Sequence, residues 1–193
     1  MTAEVSEQAQ EEPRERRRAP TGPPPGAQVP PSEDALKLES LLKELLSDVP
    51  LEMEYNFGEL VAILPPEHIV RVCRTARADP RLDFDYLRCL SGADYVRHFE
   101  VVYHLYSIEK RHKMTLKIKL PHENPAVDSV ISVWRGADWH EREMGEMFGI
   151  HVMGHPNMTA LLLEDGLDEH PLLKSHPLVQ VYEDRPGIIT EKL

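Results

Sequence analysis

Apolar residues at helical spacing open the patterned part of the chain. The stretch "SEDALKLESLLKELL" begins with Ser32, a favoured N-cap residue, and the acids Glu33 and Asp34 suit the positive end of a helix. The leucines that follow place one apolar face on a helix predicted over residues 33–47: Leu38, Leu41, Leu42, Leu45 and Leu46. A second helix is predicted from Pro66 onward, with a buried stripe at Ile69, Val70, Cys73 and Ala76.

Alternating and β-branched stretches in the middle of the chain predict strands. "LEMEYNFGELVAILP" (51–65) indicates two short strands around an Asn-Phe-Gly turn. Further strands are expected in "FDYLRCL" (84–90), "FEVVYHLYSI" (99–108) and "KMTLKIKLP" (113–121), and "EKRH" between the last two suits a hairpin loop. The expected fold class is therefore α+β, with a mostly antiparallel sheet and helices on one face.

Two segments without a sustained period flank the predicted core domain, which is expected over residues 32–154. Residues 1–31 contain seven prolines and the run "RERRR", so they are predicted to form a disordered lead-in that buries little apolar surface. Residues 155–193 contain four prolines and several apolar clusters. Because apolar side chains need cover, we expect this extended, irregular tail to lie against its own domain and against a partner protein.

Charge and apolar content limit the classes of function. The chain has 22 basic and 33 acidic residues and a formal net charge of −11, which argues against binding nucleic acid through a basic field. No apolar run approaches the roughly 20 residues of a membrane-spanning helix, so we expect membrane contact only through other proteins. Cys73 and Cys89 are too few to hold an iron–sulfur cluster in one chain. A single disulfide stays open, but two reduced, buried cysteines are favoured.

The segment "GADWHEREMGEMFGIHVMGHPNM" (136–158) concentrates histidines and glutamates and raises the question of a metal site. "HEREM" misses the zinc-protease pattern H-E-x-x-H, because Met144 stands where the second histidine is needed. Zinc bound by histidines that meet in three dimensions remains an alternative: His140, His151, His155 or His170. A free-standing metal hydrolase would use His140, Glu141 and His151. The favoured prediction is that the chain binds no metal.

The same segment also has a structural interpretation, a helix that ends at Phe148. Asp138 and Glu141 have the spacing of a capping box, with Asp138 at the N-cap, and Gly149 stands where a left-handed C-terminal residue is wanted. Glu141 lies along the apolar stripe of this helix, whereas Glu143 falls on another edge. The two carboxylates therefore diverge and are not expected to act as a paired acid and base.

Charged residues on this helix predict a brace. Asp138, Arg142 and Glu146 follow one another at four-residue spacing, which predicts an exposed ion-pair ladder that stabilises by ~0.3–0.5 kcal/mol per pair. Glu141 beside an arginine is interpreted as a structural lock. The sequence contains no G-x-S-x-G, no glycine loop that cradles phosphate and no G-x-G-x-x-G. No catalytic, cofactor-binding or metal-binding residue is therefore predicted.

Three motifs occur together at fixed spacings in the C-terminal half: "EREMGEMFG", a His-Pro, and a distal His-Pro-Leu. In this arrangement the chain resembles the C subunit of respiratory complex I, the proton-pumping NADH:quinone oxidoreductase. The matching residues are the expected structural and partner-interface residues: Glu141, Arg142, Glu143, Glu146, Phe148, Gly149, His155, Pro156, His170, Pro171 and Leu172. The chain departs from the family where basic residues are usual, with Thr159 and Ala160 after the first His-Pro and Leu173 in the distal block. Gly145 stands where an aromatic is usual.

The resemblance implies a structural subunit without a cofactor in the peripheral arm of the complex. FMN, iron–sulfur clusters and quinone are then expected in partner subunits, and the expected partners are the large subunit with the quinone pocket and the small subunit with the terminal cluster. The expected location is peripheral, on the cytoplasmic face of the bacterial cell membrane. The alternative is the equivalent subunit of a membrane-bound energy-converting hydrogenase or of another NADH-independent relative.

Overall fold

The structure, a computed structural model, describes residues 29–164, 166–167 and 169–176. Its helices are α1 (Glu33–Leu45), α2 (Ile69–Ala78) and α3 (Ala137–Phe148), and a short 3₁₀ helix (Pro66–His68) precedes α2. Its strands are β1 (Glu52–Asn56), β2 (Glu59–Ile63), β3 (Tyr86–Asp94), β4 (Phe99–Tyr106), β5 (Lys113–Leu120), β6 (Ala126–Asp128) and β7 (His151–Met153). The predicted lead-in lies almost wholly outside these residues, as does the end of the predicted tail, so both boundaries stay predictions.

A five-stranded sheet with the order β1-β2-β5-β4-β3 organises this part of the chain. Neighbouring strands run antiparallel except β2 and β5, which are parallel, with Leu60 opposite Met114. β6 and β7 form a separate parallel pair in which Val127 faces Val152. The predicted α+β class with a mostly antiparallel sheet is therefore confirmed, whereas the β6–β7 pair was not predicted.

One face of the sheet carries the hydrophobic core. Strand side chains alternate, so every second residue of β4 and β5 points to the same side. The buried members of these two rows are Phe99, Val101, Tyr103, Leu105, Met114, Leu116, Ile118 and Leu120. All three helices contribute buried side chains to the same cluster, among them Leu42 of α1, Ile69 of α2 and Met144 of α3. The prediction of helices on one face is confirmed.

Several element boundaries differ from the predictions. Ser32 caps α1 as predicted, because its Oγ accepts from the Ala35 backbone N–H at 3.1 Å, but the helix ends at Leu45. Pro66 opens the 3₁₀ helix and not α2 itself. The strand predicted from Phe84 begins later, at Tyr86. Phe84 is buried outside the sheet, and its carbonyl accepts the Trp134 indole N–H.

The two cysteines are both free thiols. Cys73 on α2 is buried, as predicted. Cys89 on β3 is only half-buried, so the prediction of burial was wrong for this residue. The reason is its direction, because it pairs with His104 on β4, which points away from the core side of the sheet.

Gly92 on β3 allows α3 to approach the sheet closely. A Cβ there would lie 2.8 Å from Phe148 Cδ2 and 3.2 Å from Met144 Cγ. We expect Gly92→Val to lower the free energy of unfolding by about 1–3 kcal/mol, because overpacking must push α3 outward. Urea unfolding measures this, with Gly136→Ala as control, since a Cβ at Gly136 meets no atom within 4 Å. Equal stability of the two variants would contradict the close packing of α3.

Candidate functional site

Glu141 is a buried carboxylate in the centre of the segment singled out by sequence. It lies on the buried face of α3 and is 1% exposed. Its Oε2 accepts from the Ser129 hydroxyl at 2.6 Å, and its Oε1 accepts from the Val130 backbone N–H at 2.7 Å. Glu141 therefore ties α3 to the segment that follows β6, which agrees with the predicted structural lock but uses no arginine.

The predicted capping box at the start of α3 is wrong. Gly136 occupies the N-cap position, no side chain caps the helix, and Asp138 lies inside its first turn. Glu141 cannot reach back to the first turn because its carboxylate is held by Ser129 and Val130. A residue three positions after Asp138 can belong either to a capping box or to the buried face of the helix. Glu141 is buried, so it belongs to the buried face.

Desolvation raises the pKa of Glu141 above the ordinary value of 4.5. The hydrogen bonds from Ser129 and Val130 act in the opposite direction, but they offset only part of this increase. Because both oxygens are engaged within the chain, the group is placed to hold structure together and not to exchange protons with a substrate.

His155 lies next to Glu141 with a fully buried side chain. Its Nε2 is 3.3 Å from Asp138 Oδ1 and 3.8 Å from Glu141 Oε2. On the other side of the ring, Nδ1 accepts from the Asn157 backbone N–H at 3.1 Å. Within the described residues, Nε2 is the buried side-chain atom that lacks a hydrogen-bond partner. His155, expected as a structural or partner-interface residue, thus has its side chain enclosed by the chain's own residues.

Arg142 and Glu146 bind the backbone of the tail, and we call this pair the tail clamp. Arg142 Nε donates to the Thr159 carbonyl at 3.1 Å, and Nη2 donates to the Ala160 carbonyl at 3.2 Å. The Glu146 carboxylate accepts from three successive backbone N–H groups of residues 161–163, at 3.1, 3.0 and 2.8 Å. The clamp therefore holds five consecutive residues of the tail against α3.

The predicted ion-pair ladder along α3 is wrong, because the charged residues of the ladder bind other partners and not one another. Arg142 and Glu146 each turn to the tail, and Asp138 faces His155 instead of Arg142. Backbone groups of the tail are fixed and partly desolvated, so they are better partners than an exposed side chain that must lose rotamer freedom.

The pKa of Glu146 lies below its ordinary value of 4.5. Desolvation alone would raise it, but the N–H donors of residues 163, 162 and 161 together with the nearby Arg142 charge outweigh that effect. The ionised form is therefore the form that the tail recognises.

The C-terminal end of α3 is capped by the tail. Gly149 has φ of +70°, the left-handed conformation that was predicted. A Cβ on Gly149 would lie 2.7 Å from the His170 ring, whose Nδ1 donates to the Glu146 carbonyl at 2.8 Å. The Leu172 backbone N–H donates to the Met147 carbonyl at 3.1 Å. Two carbonyls that a helix end leaves free are thus satisfied by the distal His-Pro-Leu.

The remaining predicted residues do not join one cleft. Glu143 is exposed, and it diverges from buried Glu141 as predicted. Phe148 is half-buried against the core, Pro156 is exposed and Pro171 is half-buried.

Three contacts of the tail and of α3 involve residues that sequence reasoning missed. Asp94 accepts from the Lys174 backbone N–H at 2.8 Å and so fixes the tail to the end of β3. Ser129 and Asn157 hold Glu141 and His155. No local pattern marks Asp94 or Ser129, because each gains its role from a residue that is distant along the chain. Asn157 binds the nearby His155 through its backbone N–H, which any residue type supplies.

Within the described ranges, no group of three or more His, Cys, Asp and Glu residues is arranged to hold a metal ion. The histidines of the metal-hydrolase alternative do not gather, since His151 lies exposed on β7 while Glu141 is buried and engaged. In the same ranges no helix has the length and apolar character that crossing a membrane requires. The predicted absence of a bound cofactor stays a prediction.

Comparison with known proteins gives a consistent result. The family described as "Respiratory-chain NADH dehydrogenase, 30 Kd subunit" matches residues 62–182. The C subunit of the NADH-quinone oxidoreductase of Roseiflexus castenholzii is 41% identical over 140 residues, which cover 71% of this chain and 80% of the relative. The corresponding subunit of Roseiflexus sp. is 40% identical over 149 residues, covering 76% and 85%.

Two solved structures are similar in fold. A trypsin-resistant fragment of Nqo5 is 28% identical, with a TM-score of 0.55, and covers 63% of this chain and 98% of the fragment. The second is a chain of the membrane-bound sulfane sulfur reductase, an archaeal respiratory membrane complex, with a TM-score of 0.62 at 20% identity. The match covers 74% of this chain and 87% of that chain, and it shows a shared fold. The family match spans well over half of the 193 residues, and the chain therefore belongs to the family of the 30 kDa subunit of the respiratory-chain NADH dehydrogenase.

Proposed function

We propose that this chain is a structural subunit of the NADH:quinone oxidoreductase, complex I, and braces its neighbours in the peripheral arm without an active site of its own. Relatives about 40% identical to it are named as the C subunit of NADH-quinone oxidoreductase. The observation that carries the structural role is the tail clamp. Arg142 and Glu146 are used to hold the chain's own backbone, so the charged motif shared with the family serves architecture.

The outer side of the clamped tail is the surface proposed to meet the partners. Leu162 is 63% exposed and Leu172 is 53% exposed, and Leu167 is also exposed. The backbone behind Leu162 and Leu172 is fixed by hydrogen bonds to Glu146 and Met147, so the backbone here loses little freedom on binding. A preorganised apolar row of this kind suits a permanent interface between subunits.

The partners proposed for this row are the large subunit with the quinone pocket and the small subunit with the terminal iron–sulfur cluster. FMN, clusters and quinone would then reside in other chains, and this chain would hold none of them. Its proposed location is peripheral, on the cytoplasmic face of the membrane, with membrane contact only through the complex. The names of the relatives favour complex I over a membrane-bound energy-converting hydrogenase.

Purification of the assembled complex tests this proposal. Arg142→Ala is expected to reduce the amount of intact complex several-fold while leaving turnover per assembled complex unchanged, because it removes the donors that fix residues 159 and 160. Native gels with mass spectrometry measure assembly and identify the large subunit that co-purifies. Arg135→Ala is the control, since it removes the same charge from an exposed position just before α3. Normal amounts of complex with slow turnover would contradict the structural role of Arg142.

A further inference from the structure

The buried His155 imidazole is connected to the tail clamp by a short series of hydrogen bonds. His155 Nδ1 accepts from the Asn157 N–H at 3.1 Å, and Asn157 Oδ1 accepts from the Thr159 N–H at 3.2 Å. The Thr159 carbonyl in turn accepts from Arg142 Nε at 3.1 Å. His155, the first residue of the predicted tail, is therefore connected to Arg142 of the tail clamp by hydrogen bonds through residues 157 and 159.

The contacts of His155 define its protonation state. A backbone N–H can only donate, so Nδ1 must accept from Asn157 and carries no proton. The proton of the neutral ring is then on Nε2, which lies 3.3 Å from Asp138 Oδ1 and 3.8 Å from Glu141 Oε2 without a hydrogen bond to either.

Uptake of a second proton by His155 would break its contact with the loop and strengthen its attraction to α3. A proton on Nδ1 would face the Asn157 N–H, so two donors would oppose each other and that hydrogen bond would be lost. On the other side, the imidazolium would be attracted to the Asp138 and Glu141 carboxylates. The ring would move toward α3 and away from the loop that leads to the clamp.

We propose that His155 is a proton-operated switch at the junction between the core and the tail. The neutral imidazole holds the Asn157 loop and thereby keeps residues 159–163 in the tail clamp. The imidazolium releases the loop and loosens those residues. The physical basis is the opposition of a backbone donor on one ring nitrogen and two carboxylates on the other.

Other titratable groups lie near His155, and the experiment must separate their effects from those of His155. The charged groups that face it, Asp138 and Glu141, both lie on α3. The segment after β6 contributes the Ser129 hydroxyl and the Val130 N–H, which are uncharged and bind Glu141. The Cys73 thiol and the Tyr103 hydroxyl interact electrostatically with Glu141, and desolvation raises the pKa of both, so they stay neutral. Because the pKa of Glu141 is also raised, a non-titrating variant of His155 is needed.

The test uses the full chain alone, so its result does not depend on the proposed role in complex I. Nitrogen NMR of the histidine rings reports which nitrogen of His155 carries the proton. Hydrogen exchange of the amides of residues 161–163, corrected for intrinsic rates, reports the state of the clamp. Between about pH 7.5 and about pH 5, their protection is expected to fall at least about tenfold.

His155→Asn is the matched variant, because its Oδ1 can occupy the position of Nδ1 and accept from Asn157 without titrating. Its amides at 161–163 are expected to keep their protection within about twofold over the same range. A proton on Nδ1 near neutral pH, or equal pH dependence in the two proteins, would overturn the proposal. If the variant does not fold, the two measurements on the wild-type protein still test the proposal. Protonation of His155 and loss of protection must then share one midpoint, and different midpoints would refute the switch.

Discussion

Replacing Glu141 by alanine is expected to lower the free energy of unfolding by about 3–5 kcal/mol, because it leaves two buried donors without an acceptor and opens a cavity. The donors are the Ser129 hydroxyl and the Val130 backbone N–H, which bind the carboxylate at 2.6 and 2.7 Å. Urea unfolding followed by circular dichroism at neutral pH measures the effect. A loss below about 1 kcal/mol would show that these hydrogen bonds do not hold α3 to the segment after β6.

Glu141→Gln is the informative control. The glutamine carbonyl can accept from Val130, and the Ser129 hydroxyl can rotate to accept from the amide, so we expect stability within about 1.5 kcal/mol of the wild type. The raised pKa of Glu141 adds a dependence on pH. Since the folded state binds this proton more tightly, the contribution is fully present below the unfolded pKa of 4.5 and is lost as pH rises through the folded value. The glutamine variant should lack this loss.

Local periodicity predicted most of the secondary structure, because burial on one face imposes a period that the residues themselves display. The leucines after Ser32 predicted α1 to within a few residues, and the alternation in "KMTLKIKLP" predicted β5. The parallel pairing of β2 with β5 could not be predicted in this way. It joins residues that are more than 50 positions apart, and no local pattern records which strand lies beside which.

The site was predicted less well than the fold, since its residues acquire their roles from tertiary partners. The apolar stripe correctly placed Glu141 on the buried side of α3, but it could not name Ser129 as the partner. The four-residue spacing of Asp138, Arg142 and Glu146 predicted a ladder on an exposed face. Folding brings a stretch of tail backbone onto that face, and its N–H and carbonyl groups displace the ladder. The spacing of residues within one helix cannot predict the tail backbone as a competing partner.

Replacing Glu146 by glutamine is expected to reduce the hydrogen-exchange protection of the amides at 161–163 by about 100-fold while the unfolding transition of the core moves by less than about 1 kcal/mol. The ionised carboxylate accepts all three N–H groups, whereas an amide has one acceptor oxygen and directs its NH₂ group at donors. Glu143→Gln is the matched control, because it removes the same charge from an exposed position on the same helix.

The pH dependence of the wild-type clamp follows from the lowered pKa of Glu146. Its contribution is present above the unfolded pKa of 4.5 and is lost as pH falls through the lower folded value, so this loss begins only in acid. The effect of glutamine at the two glutamates then differs for one physical reason. At Glu141 a hydroxyl partner can exchange donor for acceptor, whereas at Glu146 three backbone N–H groups cannot. Equal tolerance of glutamine at both positions would mean that the carboxylate of Glu146 does not hold the tail.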